Sequence, residues 1–327
     1  MKKKLIIAVF LFVFVSTGCQ QLHLTLPDQQ PLLMVTHLKD KKLSFIDLES
    51  YEVVYSEEFP FEIHSLETIG PNQVAVAGKL EDEVLLVHLH SGKIETLLEF
   101  GHGITSMNVD AQEQLLFITD AKENQLYVYE LENKQKLVSI DVEPNPIQAN
   151  LDENGELIFV LSSGETPTIT VINRLNNEIE LTFPVLELPT DLFFDGKYLW
   201  VAGHGHFTNW NESIEAYDPL TGEKVKEVNV GLMPIFIYDD AAGDHFYVLC
   251  HGSSDLYVID RNTYEVMERV VVGDNPHYMS ATLQHLFVTG LDGNVLSVID
   301  RKNYEVVTEI ELAAGPFGIA IGAFENE

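Results

Sequence analysis

Basic residues are scarce in this chain. It carries 19 Lys and Arg against 51 Asp and Glu, a net charge of −32. Such a surface repels phosphate backbones and anionic lipid headgroups, so nucleic acid is excluded as a partner class. The acids are scattered and form no long run, which reads as a solvated exterior and not as an acidic tail. Cysteine is nearly absent, at two residues in 327, so this is no disulfide scaffold and the fold must rest on an apolar core. Long apolar runs are missing after residue 15, which leaves no further candidate for a membrane-spanning helix. Sustained helical periodicity is absent too, which argues against a helical solenoid. There is no Gly-rich phosphate loop, no Gly-x-Ser-x-Gly elbow and no Cys-x-x-Cys, so those chemistries have no support.

The N-terminus has its own logic. Lys2, Lys3 and Lys4 precede an unbroken apolar run from Leu5 to Val15. That run is too short to span a bilayer and suits a signal peptide. It ends in Val15-Ser16-Thr17-Gly18-Cys19, which resembles the lipobox of bacterial lipoproteins, although Ser16 stands where that family favours an aliphatic residue. The resemblance implies a leader over 1–18, cleavage before Cys19 and a diacylglyceryl group on its sulfur. The product would be an extracytoplasmic protein touching the membrane through its lipid alone. Loss of the leader would take the net charge to −35 and leave Cys250 as the free thiol. Residues 19–30 then read as a lipidated Cys and a polar tether, and 31–327 as the folded domain.

The domain repeats itself. Leu256 to Pro276 (LYVIDRNTYEVMERVVVGDNP) and Leu296 to Pro316 (LSVIDRKNYEVVTEIELAAGP) agree at nine of 21 positions without a gap. Anchors equivalent to Asp260 and Asp300 fall at Asp47, His88, Glu130, Asn173 and Asp218, at intervals of 40 to 45. A second series marks the preceding apolar run: Thr36, Ala77, Thr119, Leu161, Ala202, Leu249 and Thr289. Two series predict seven units of about 42 residues, the period of four-stranded propeller blades. The runs are short, β-branched and aromatic. Turn pairs such as Asn154-Gly155, Asp195-Gly196 and Asp292-Gly293 separate them. A proline recurs before a further strand at Pro60, Pro146, Pro189, Pro234, Pro276 and Pro316. We read each unit as an innermost strand A after this proline, then strands B, C and D. The first unit lacks A and the last has one to spare, so the C-terminal strand should complete the first blade and close the ring. The expectation is an all-β, seven-bladed propeller. His285 to Ile321, and nearly as well Phe246 to Ala281, resemble the YVTN-type propeller repeat of bacterial surface proteins. That resemblance implies a fold and a surface location but no activity.

Strand order puts D–A and B–C connections on one face, the top, and A–B and C–D turns on the other. Six histidines fall on the top: His37, His102, His204, His206, His251 and His277. Neutral imidazoles converging on a propeller axis could hold Cu, Zn or Fe. Near the channel mouth the register after the proline yields Glu62, Gln148, Asp191, His277 and Tyr278 as a polar ligand-binding set. Asp47, Asp218, Asp260 and Asp300 end strand C on the bottom face and read as turn-capping residues. Cys250 reads as a small core residue. These features favour a binding module for an extracellular protein, peptide or polysaccharide. The alternatives are a metal site at the top face and an enzyme of the propeller lactonase or lyase kind.

Overall fold

The computed structural model describes residues 23–26, 31–152, 154–206, 208–239 and 243–322. The leader, Cys19 and most of the tether lie outside the described residues, as does the end of the chain after Gly322. The described residues form seven four-stranded antiparallel sheets and one two-stranded hairpin. This is the expected seven-bladed β-propeller.

Burial explains why the B strands do not alternate in hydropathy. Leu32–His37, Leu115–Asp120, Leu157–Ser162 and His285–Gly290 are buried along almost their whole length. Each lies inside a blade that is covered on both faces. Alternate side chains go to opposite neighbours. Ile158 and Val160 join the cluster shared with the preceding blade, whereas Phe159 and Leu161 join the one shared with the next. Seven such apolar clusters fill the seven blade interfaces among the described residues. Each fully buried aliphatic or aromatic side chain contributes about 1.5–3 kcal/mol. The D strands, on the outer rim, are largely exposed.

The ring closes as the sequence predicts. Pro316–Gly322 pairs antiparallel with Leu32–His37, with Leu33 opposite Ile321 and Val35 opposite Ile319. Blade 1 therefore joins the two ends of the domain, and the inner edge of Leu32–His37 is paired.

The C–D turns repeat one geometry. In all seven, the residue four after the strand C anchor has positive φ: Tyr51, Gly92, Lys134, Asn177, Gly222, Tyr264 and Tyr304, at 53 to 73°. In six of the seven a register shift of the C–D pair lies beside this turn, as a left-handed residue and bulge require, and in blade 2 the shift falls at Val84/Leu85, the other end of strand C. The anchoring aspartates cap these turns. Asp47 Oδ1 accepts the N–H groups of Glu49 and Ser50, and Asp218, Asp260 and Asp300 do the same for their turns. The tyrosines tolerate the left-handed conformation because their rings pack on the preceding blade. Tyr264 lies 5.1 Å from Trp200, and Tyr51 lies 5.7 Å from His285.

The segment before blade 1 is docked on the bottom face. Leu24 is buried among Phe59, Leu89 and Ile94, and its N–H donates to the Gly92 carbonyl at 2.8 Å. His23 bridges to Lys93. A Cβ on Gly92 would come within 1.9 Å of the Leu24 carbonyl oxygen, so the close approach itself requires glycine there.

Candidate functional site: the central channel

Seven A strands surround the axis: Ser65–Gly70 in blade 2, Ile104–Asp110, Pro146–Leu151, Pro189–Phe194, Pro234–Asp239 and Pro276–Ala281 in blades 3 to 7, and Pro316–Gly322 in blade 1. They enclose a cavity of about 580 Å³ that opens near the top face. Five of them begin at the predicted proline. In these the residue before the proline (Asn145, Leu188, Met233, Asn275, Gly315) has positive φ and turns the chain inward.

Blade 2 departs from this pattern. Its A strand starts five residues after Pro60, so Ser65, opposite Ala77, holds the register that Asp191 holds opposite Ala202. The assignment of Glu62 to that register is therefore corrected. Glu62 is exposed in the D–A connection and lines a separate hollow of about 300 Å³ with Lys41, Phe61 and Glu81. The equivalent partners elsewhere stand 11 to 13 residues apart. Counting back from the strand B anchor would have found Ser65.

Gln148, Asp191, His277 and Tyr278 do line the cavity. Two of them also fasten the ring. An A strand pairs with B along one edge only, and its other edge needs partners. Gln148 Oε1 accepts the Leu192 N–H of the next blade at 2.7 Å. Asp191 Oδ2 accepts the Ile237 N–H of the next blade at 2.6 Å. Thr105 donates to the Pro146 carbonyl (2.7 Å), Asn108 to Ala149 (3.3 Å) and Asn150 to Leu192 (3.2 Å). Burial pushes the Asp191 carboxyl up to about 7, against the opposing pull of the Ile237 N–H, the Gln148 side chain and the Leu192 N–H.

The other arc of the wall is aromatic. Phe236 and Tyr278 lie 4.9 Å apart and Tyr278 and Phe317 4.8 Å apart, ring centre to ring centre. Phe317 also stacks on His64 at 5.6 Å and meets His277 at 5.1 Å. His64, Glu67, Phe236 and Phe317 belong to the lining and were not among the sequence candidates. Burial pushes the Glu67 carboxyl up to about 8.

The six histidines divide. His204 and His251 stack at 4.5 Å, and His277 meets His251 edge-on at 6.1 Å. Desolvation lowers His204 and His277 to about 4, so this cluster is neutral at pH 7. His204 Nε2 and His251 Nδ1 are buried without a hydrogen-bond partner. The other three lie apart, which corrects their grouping as one ligand set. His37 is buried between Ala313 O (3.0 Å) and Ser44 Oγ (2.9 Å), so both ring nitrogens are engaged and it is a structural residue. His102 pairs with Asp82 at 2.9 Å on the exposed surface. His206 sits in the exposed hairpin with Thr208. Among the described residues no group of three or more His, Cys, Asp or Glu has metal-holding geometry. Cys250 is fully buried in the blade 5–6 cluster, and its thiol is pushed up to about 12, which makes it a core residue.

No family model and no curated protein matches the chain. Solved structures match its fold. A functionally unknown protein from Desulfotomaculum acetoxidans superposes with a TM-score of 0.72 at 15% identity, over 89% of this chain and 99% of that one. Kuenenia stuttgartiensis hydrazine synthase gives 0.73 at 14%, over 91% and 100%. Dihydro-heme d1 dehydrogenase NirN, in complex with DHE, gives 0.64 at 12%, over 94% and 78%. At such identities the likeness shows the seven-bladed fold alone.

Proposed function

We propose that this chain is an extracytoplasmic lipoprotein, anchored through Cys19, whose YVTN-like propeller is a binding module with its site at the top mouth of the channel. The observation that carries the reading is the cavity itself. It has the size of a ligand pocket, about 580 Å³, and one wall is lined by aromatic and imidazole rings. The docked Leu24 adds an orientation. Three residues lie between Cys19 and His23, so the two are at most about 14 Å apart along an extended chain. A lipid on Cys19 would therefore hold the bottom face near blades 1 and 2 toward the membrane, with the channel mouth directed outward to an extracellular protein, peptide or polysaccharide.

Two measurements test this. Labelled palmitate should enter the wild type and not Cys19→Ser, and the variant should leave the membrane fraction. Label in neither protein, or unchanged membrane attachment, overturns the anchor. A thermal-shift screen against peptides and saccharides should yield hits that Phe317→Ala or Tyr278→Ala abolishes. Hits insensitive to every channel substitution would move binding off the channel.

A second reading has its own observation. The stacked His204 and His251 present buried, unpartnered ring nitrogens beside His277. Such donors suit Cu, Zn or Fe. About one equivalent of metal in the purified protein, lost in a His204→Ala/His251→Ala double variant, would establish it. No uptake on titration would remove it.

A further inference from the structure

Resting on the channel reading, the chemistry of the wall selects a ligand class. The polar groups of blades 3 to 5 are already committed. Thr105, Asn108, Gln148, Asn150 and Asp191 each bond the backbone of an adjacent strand. A polyol needs a dense set of free donors and acceptors, and this arc is poor in them. An anion would meet two carboxyl groups, Glu67 and Asp191, in a protein of net charge −32.

Glu67 differs from Asp191. It lines the lumen from blade 2, where the A strand enters irregularly, and it makes no hydrogen bond or ion pair with any described residue. The aromatic arc Phe236–Tyr278–Phe317 shares the same cavity. The imidazoles of His64, His204 and His277 are held neutral by desolvation and do not oppose a positive charge at pH 7. Lys79, the one basic side chain in the lining among the described residues, is exposed and lies beside His64. A carboxyl without a protein partner, in a cavity shared with π-rings, is the arrangement that receives a cation with an apolar body.

We propose that the channel binds a small organic ammonium ion, its charge at Glu67 and its apolar part against the Phe236–Tyr278–Phe317 arc. The bound form needs the Glu67 carboxylate, and the empty cavity favours the acid. Binding below about pH 8 therefore expels the carboxyl proton to solvent, and affinity rises with pH until that point. Asp191, raised to about 7, can add to the release at lower pH. His204 and His277 gain protons only toward pH 4, and His64 only below the ordinary imidazole range; once charged they repel the ligand, which acts in the same direction. The phenols of Tyr238 and Tyr278, both raised, stay neutral throughout.

The test is calorimetry on the full chain in non-ionic detergent, with choline, n-butylammonium and the neutral isostere 3,3-dimethyl-1-butanol. At pH 8 at least one cation should bind about tenfold or more tightly than the isostere, with affinity falling about tenfold per unit below pH 8. At pH 7 buffers of different ionisation enthalpy should report close to one proton released, and at pH 8 about half of one. Glu67→Gln should cost the cation about tenfold or more, flatten the pH dependence and leave the isostere unchanged. Phe317→Ala should weaken both, with thermal melts confirming that each variant folds. Equal binding of the isostere, an indifferent Glu67→Gln, or no cation binding at millimolar concentration overturns the proposal. If peptides or saccharides still bind in a channel-dependent way, the binding-module reading survives that failure. If nothing channel-dependent binds, both fall.

Discussion

The two arcs of the channel wall use one register for different ends. In blades 3 to 5 the positions one, two and four residues after the strand start hold Thr105, Asn108, Gln148, Asn150 and Asp191, and each ties its strand to a neighbour. In blades 6, 7 and 1 the same zone holds Phe236, Tyr278 and Phe317, which pack ring on ring. The first arc satisfies its backbone by hydrogen bonds and has little left to offer a ligand. The second presents faces and edges that a ligand can use. A polar residue at a channel is therefore not by itself a binding residue. Its partner decides.

Predictions that break this contrast run from large to small. Removing residues 316–327 takes away strand A of blade 1 with Phe317 and should abolish cooperative unfolding, because the Leu32–His37 edge and the blade 7–1 cluster are exposed together. A truncated protein with an unchanged melt would show that the ring does not depend on closure. Asp191→Ala should strand the Ile237 N–H and cost about 1–3 kcal/mol by denaturant unfolding, whereas the half-buried Phe236→Leu should cost clearly less. Equal costs would erase the distinction between the arcs. Gly92→Ala should dislodge His23–Leu26 and speed proteolysis of the N-terminal segment while leaving the main unfolding transition in place. An unchanged cleavage rate would mean the dock is not held there.

A further contrast lies in pH dependence. Glu67 has its folded pKa raised from 4.5 to about 8, so its contribution to stability is present at low pH and is lost as pH rises through that window. Glu67→Gln should gain in melting temperature relative to wild type between pH 5 and 8, by roughly 2–4 °C per kcal/mol. The buried imidazoles act oppositely. With folded values near 4 against 6.5, His37, His204 and His277 lose stability as pH falls from 6.5 to 4. His277→Gln should lose less stability than wild type as pH falls from 6.5 to 4, and an unchanged difference between the two melts over that range would contradict its burial.

Much of the architecture was legible because it is periodic. Two series of apolar runs, the proline before strand A and the capping aspartates all recur at one spacing, and the spare strand at the end told how the ring closes. Glu67 and His64 were missed because the proline of blade 2 is not the start of its inner strand, and a shift of that strand changes which side chains meet the lumen. His37, His102 and His206 share a face with the other three histidines, yet they are separated by where their loops turn. Seven blades, their strand order and their closure follow from the sequence alone, since each unit carries its own pattern of burial and turn. Which groups share the axis was settled by the tertiary structure, because neighbours across a channel come from blades far apart in the chain and no local pattern records their distance.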